Sequence, residues 1–183
     1  MTIILVLAAF ALLAWAVMAY NRLVRLRNQA DAGWSDIDVQ LMRRHDLVPA
    51  LVEAVRAYAG HEQDLLERVT ELRAQAVAAR SPGRLAEIES ALERGVGRLL
   101  VLEEAYPDLK ASQNFLQLQR DLVEVEDHLQ FARRFYNGAV RALNDGVQRF
   151  PDLLVARAFG FREAEFFDAP DAAAVAPRIG AAP

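Results

Sequence analysis

An unbroken apolar run, Ile3 to Tyr20 (IILVLAAFALLAWAVMAY), constrains this chain more than any other feature. As a helix its 18 residues rise about 27 Å, close to the hydrocarbon thickness of a bilayer. A helix satisfies its own backbone polar groups where no water can do so. Trp15 and Tyr20 stand toward the end of the run that carries Arg22, Arg25 and Arg27, where amphipathic rings and cations suit a headgroup layer. A cleaved signal needs a basic stretch ahead of a shorter apolar core. Only Met1 and Thr2 precede this run, and the arginines come after it. Ala16-Val17-Met18-Ala19 has a trace of cleavage-site spacing, but the run is long enough to span. A buried core helix seldom goes so far without a polar side chain. The expectation is a retained single-pass anchor over residues 1–21. Ile3, Leu5, Phe10, Trp15 and Tyr20 lie in it, and Arg22, Arg25 and Arg27 flank it at the headgroups. The charge asymmetry predicts an N-terminus outside and a body in the cytoplasm.

The chain beyond the anchor is long enough for one domain with a core, expected over residues 22–167. It has no cysteine, so disulfides, thiolate nucleophiles and cysteine metal sites are excluded. Net charge is −4 and Lys110 is the sole lysine. Without a broad basic face, nucleic-acid binding is not expected.

Helical periodicity continues past the anchor. Ile37, Leu41, Val48, Leu51, Val52 and Val55 recur at helical spacing. Gly33 is a weak point, and Ser35 with Asp38 could open a fresh helix near Trp34 as a capping box. The alternative is one helix running straight from the anchor. Pro49 needs a kink or a helix start to accommodate it, and Asp46 could cap a new helix with Pro49 in its first turn. Leu65, Val69, Leu72, Ala76 and Ala79 form a narrow, coiled-coil-like seam. Ser81-Pro82-Gly83 is a turn, and the next helix carries Leu85, Ile88, Leu92, Val96, Leu99 and Leu102 on one face. Tyr106-Pro107 ends it and starts another. Phe115 to Phe150 then step by three or four throughout, predicting one helix from Leu109 to Phe150 that needs partners along its whole side. The preceding segments supply them if they fold back antiparallel. After Phe150-Pro151 comes a short helix to Ala158. Phe159, Phe161, Phe166 and Phe167 are expected to cap the bundle end or a lateral groove. The Ala/Pro-rich stretch 168–183 reads as a disordered tail.

The residues that could carry chemistry fail the spacings that chemistry requires. A bundle di-metal site needs Glu-x-x-His, but Val125 and Tyr58 stand three residues before His128 and His61. Glu124, Glu126 and Asp127 read as helix surface, with Arg133 and Arg134 as nearby counter-charges. Gly95-Val96-Gly97 lies mid-helix, where small residues permit close helix approach. Trp34, Tyr58, Tyr106 and Tyr136 are expected to anchor the packing. Asn21, Asn114, Asn137 and Asn144 are expected to set helix register. No catalytic, cofactor or metal residue is assigned.

Several stretches together resemble the LemA family of bacterial membrane-anchored proteins. They are Tyr20-Asn21-x-Leu23-Val24, Trp34-Ser35-x-Ile37-Asp38-Val39-Gln40-Leu41 and Arg43-Arg44-x-Asp46-Leu47-Val48-Pro49. Further along come Glu104-Ala105-Tyr106-Pro107-Asp108-Leu109-Lys110-Ala111, Leu116-Gln117-Leu118-Gln119 and Ala132-Arg133-Arg134-Phe135-Tyr136-Asn137. The chain departs from the family pattern at Ala142-Leu143-Asn144, where a tyrosine more often precedes the asparagine. The resemblance implies an all-α, single-pass protein of the bacterial cell (inner) membrane with a long antiparallel, four-helix-type bundle. The expected role is a non-enzymatic, membrane-tethered scaffold that binds the lipid bilayer and a protein partner, possible copies of itself included, with a link to membrane organisation. The competing expectation is a metal-dependent bundle enzyme using Glu and His side chains.

Overall fold

A computed structural model of the chain describes residues 1–167, and the expected tail 168–183 lies outside the described residues. Its dominant element is one unbroken helix, α1, Thr2–Arg56, 55 residues long and therefore about 82 Å from end to end. The apolar run and the first helix of the body are the same rod. No fresh helix starts near Trp34. Ser35 does not cap; its hydroxyl donates back to the Asp31 carbonyl at 3.1 Å within the same helix. Gly33 is a contact point, not a break. A Cβ there would lie 3.0 Å from Phe135 Cδ1 and 3.1 Å from the Tyr136 Cα, so the missing side chain is what lets two backbones approach.

Pro49 also sits inside α1 rather than in a first turn, and Asp46 opens no helix. A mid-helix proline leaves the carbonyl four residues earlier without its donor. That carbonyl belongs to His45, and the Arg73 Nε–H reaches it from the next helix at 3.2 Å. The proline thus frees an acceptor that a neighbouring helix uses. Arg73→Met should cost about 1–2 kcal/mol by stranding this carbonyl. In a Pro49→Ala background, which restores the intrahelical donor, the same substitution should cost much less. Urea denaturation of the four combinations measures the coupling, and purely additive losses would refute it.

The remaining elements are α2 (Gln63–Ala78), α3 (Pro82–Val101), a 3-10 turn (Leu102–Glu104), α4 (Pro107–Lys110), α5 (Gln113–Gln148) and α6 (Asp152–Ala158). There is no strand among the described residues. Proline occupies the first position of α4, as expected, and also of α3, so Pro82 and Gly83 belong to that helix and not to the turn before it. The long helix starts later than its periodicity predicts. Ser112 leaves the helical conformation and its hydroxyl accepts the Phe115 N–H at 3.5 Å, so α5 is 36 residues, about 54 Å.

α5 runs antiparallel to α1 along its whole length. Gly33 meets Tyr136, while a Cβ on Gly146 would lie 3.0–3.2 Å from Leu26 and Leu23. The preceding helices cover only half of this pair. The α2–α3 hairpin packs on the distal half, making four helices around Val48, Leu51, Val55, Leu66, Val69, Leu92, Leu99 and Phe115. Gly95 permits the close α2–α3 approach, since a Cβ there would meet Val69 Cγ2 at 2.8 Å, whereas nothing lies within 4 Å of Gly97. The segment C-terminal to α5 covers the other half. α6 packs on α1 at the level of Ala19 to Leu23, and residues 161–167 run back along the α1–α5 groove as a strap, joining Leu23, Ile37, Tyr136, Val140, Val155 and Phe167 in a second apolar cluster.

Candidate functional site

Two regions position side chains in ways a simple bundle does not require. The first is the end of the body nearest the apolar run. Ile3, Leu5 and Phe10 have no packing partners in the body and are 75, 66 and 72% exposed. Trp15 instead packs against the second apolar cluster, beside Ala19 and Leu23. The Tyr20 ring meets Phe159 edge-on at 4.9 Å and Phe161 at 5.7 Å. Arg22 pairs with Asp152 at the start of α6, 3.0 Å away. The Arg27 guanidinium lies over the Phe161 ring at 5.4 Å. Arg25 is exposed and, with Trp15, Arg22 and Asp152, lines a crevice at this level. Two of the three expected flanking arginines therefore also hold the C-terminal segment to α1.

The strap is fastened by groups the sequence placed elsewhere. Gly160 turns the chain at φ +71°. Asn144 both donates to the Ala164 carbonyl at 3.0 Å and accepts its N–H at 2.9 Å. Asn137 accepts the Phe167 N–H at 3.0 Å, and the Tyr136 hydroxyl donates to the Glu165 carbonyl at 2.7 Å. These two asparagines hold a strap, while Asn21 and Asn114 are exposed. Phe167 is fully buried beside Trp34, Phe161 is buried, Phe166 is half-buried and Phe159 is exposed. Burial, with Glu165 and Asp31 nearby, raises the Tyr136 phenol above its ordinary range and keeps it a donor. Tyr58 does not anchor packing; it is 43% exposed.

The second region is a buried ionic layer between the two apolar clusters. Arg44 of α1 donates to Glu89 of α3 at 3.1 Å and also pairs with Glu126 of α5. The neighbouring His45 Nε2 donates to the other Glu89 oxygen at 2.6 Å. Glu89 is fully buried and Arg44 nearly so. Burial lowers the Arg44 pKa from its ordinary value, and the Glu89 charge and hydrogen bond oppose that shift. Arg133, on the same helix as Glu126, lies 3.6 Å from Glu93 and over the Phe167 ring at 5.3 Å. Glu126 is therefore no mere surface charge, and Arg133 answers to α3 and the strap. Arg134 lies over the exposed Phe131 ring at 4.7 Å. Glu124 stays on the surface, 3.8 Å from His128.

Sequence reasoning passed over Glu89, although its position carried the signal. It falls four residues after Leu85 and three before Leu92, inside the apolar stripe of α3. An acidic residue there must meet a cation across the core. Chemically the layer is closed, since both Glu89 oxygens are occupied by Arg44 and His45. A groove of about 500 Å³ beside it, between α1 and α2, is lined by Asp38, His45, Asp46 and Arg73 among others. Among the described residues no group of three or more His, Asp or Glu side chains is arranged to hold a metal ion.

Together these features define an all-α rod with one N-terminal helix long and apolar enough to cross a membrane, joined without interruption to a helical bundle. The chain belongs to the LemA family, whose model matches residues 33–180. It is 25% identical to "Magnetosome protein MamQ 1" of Paramagnetospirillum magneticum, over 97% of this chain and 76% of that protein. It is 24% identical to "Magnetosome protein MamQ" of Magnetospirillum gryphiswaldense, over 98% of this chain and 76% of that protein. Identity to "Protein LemA" of Metamycoplasma hominis is 26%, over 82% of this chain and 69% of that protein.

Proposed function

We propose that the protein is a non-enzymatic, membrane-tethered scaffold that presents a stiff helical bundle to a protein partner, which can be a second copy of itself. The observation that carries this reading is the continuity of α1, because a span and a bundle core sharing one helix hold the body at a set distance and angle from the bilayer. Ile3 to Tyr20 crosses the cell (inner) membrane, and Arg22, Arg25 and Arg27 favour a cytoplasmic body. The sides of the bundle offer contact area. Phe131 and Phe135, one turn apart on α5, are 66 and 47% exposed, and aromatic side chains are enriched at interfaces. Kinship with proteins named for the magnetosome agrees with a part in membrane organisation.

Photo-crosslinking in native membranes, with a benzophenone side chain at Phe131 or Phe135, tests the reading. Discrete protein adducts, to another protein or to the chain itself, are expected from these positions. Absence of adducts, together with stoichiometric iron, manganese or zinc in the purified protein, would replace the scaffold with a metal enzyme.

A further inference from the structure

The end of the body beside the span carries apolar side chains that nothing among the described residues covers. Phe150, Leu154 and Phe159 are 75, 56 and 64% exposed. All three belong to α6 or its immediate flanks, and α6 packs on α1 at the level of Tyr20 and Arg22. Asp152 reaches Arg22, Phe159 meets Tyr20, and Val155 and Ala156 join the apolar cluster that contains Ala19 and Leu23 and packs against Trp15. Trp15 to Tyr20 is the last part of the apolar run, about 7–8 Å along the helix axis. If the run crosses the hydrocarbon, α6 lies beside its end, at the boundary of acyl chains and headgroups.

The rest of α6 suits that depth. Its inward face is Val155 and Ala156, its outward face is Leu154 between two exposed aromatic rings, and Arg149, Arg157 and Arg162 are exposed around them. Apolar side chains with a cationic rim are what a surface-lying helix offers to acyl chains and anionic headgroups. Such helices sink about 5–10 Å into the boundary. The flank of the span, not open water, is therefore the setting in which 150, 154 and 159 lose their cost of exposure.

We infer that α6 is a second bilayer contact: Phe150, Leu154 and Phe159 insert at the interface beside the span and hold the rod's tilt. This rests on the reading of Ile3 to Tyr20 as a membrane span. The chain has no cysteine, so single-cysteine variants of the full chain can each carry one environment-sensitive nitrobenzoxadiazole label. Leu154→Cys and Phe159→Cys probe α6, Leu5→Cys probes the span, and Val101→Cys probes the distal end, where Val101 is 61% exposed. Each is reconstituted into vesicles of phosphatidylcholine and phosphatidylglycerol, with circular dichroism confirming helix content. Labels at 154 and 159 should show blue-shifted emission, quenched by lipids brominated near the headgroup more than by lipids brominated deep in the chain. The label at 5 should be quenched, and the label at 101 should keep its emission. Should 154 and 159 behave like 101 while 5 is still quenched, the second contact is wrong and the span stands. A water-exposed label at position 5 would overturn the span, and the contact with it.

Discussion

Glu89→Ala should destabilise the bundle by about 3–5 kcal/mol, the usual cost of leaving one member of a buried charged pair alone. Glu89 is fully buried and takes two partners at once, Arg44 at 3.1 Å and the His45 ring at 2.6 Å. Its removal strands the Arg44 guanidinium, whose pKa burial already lowers and whose charged form Glu89 supports. Glu126 is left as its partner, with a side chain 29% exposed to water. The double variant Arg44→Met, Glu89→Leu should recover most of the loss, because apolar side chains of similar volume avoid the desolvation penalty. Urea denaturation followed by far-ultraviolet circular dichroism, on the full chain in detergent, measures both. A single variant within about 1 kcal/mol of the parent, the scale of an exposed pair, would mean that water reaches the layer. A double variant no better than the single would place the loss in packing, not in charge.

Phe167→Ala should cost about 3–5 kcal/mol if the strap stays in place around the vacated volume. Detachment sets a ceiling on that cost, because the strap is held by few groups and can leave without unfolding α1 and α5. The expected result is therefore local. The Ala164 and Phe167 amides, bonded to Asn144 and Asn137, should lose hydrogen-exchange protection while the amides of α5 keep theirs. Trp34, 5.9 Å from the Phe167 ring, should report a wetter environment in its fluorescence. The Tyr136 phenol gives an independent reading. Its pKa is raised by burial first and by Glu165 and Asp31 after that. Strap docking is then fully supported below the ordinary phenol value of about 10 and is lost as pH rises through the higher folded value. In the variant, ultraviolet titration should return Tyr136 toward that ordinary value. Unchanged protection at 164 and 167 would mean that Asn137, Asn144 and Tyr136 hold the strap without the ring.

The ionic layer bears on how a narrow rod keeps one register. An apolar seam alone lets antiparallel helices slide by a turn at modest cost. A buried acid on α3 that must meet a base on α1 allows few alternatives, which is how polar groups in seams specify alignment. Gly33 adds a steric mark, since a Cβ there would meet the Tyr136 backbone at 3.1 Å, and at Gly146 the tips of Leu23 and Leu26 fill the space a side chain would need.

Much of this was legible in the residues. Eighteen apolar positions with arginines after them, three- and four-residue steps to Phe150 and the Pro82, Pro107 and Pro151 breaks determine an all-α chain with one membrane-length run, because hydrophobic period and proline geometry act locally. The tertiary structure decided the rest. Whether α1 broke at Gly33 or Pro49 depended on Phe135 and Arg73, residues far along the chain that fill the gap left by one and use the carbonyl freed by the other. Whether Glu126 stayed a solvated charge depended on Arg44 arriving beside it. Asn137 and Asn144 became strap clamps only because Gly160 turned the chain back along the groove. A side chain's period says which face it occupies, but its partner is set by the fold.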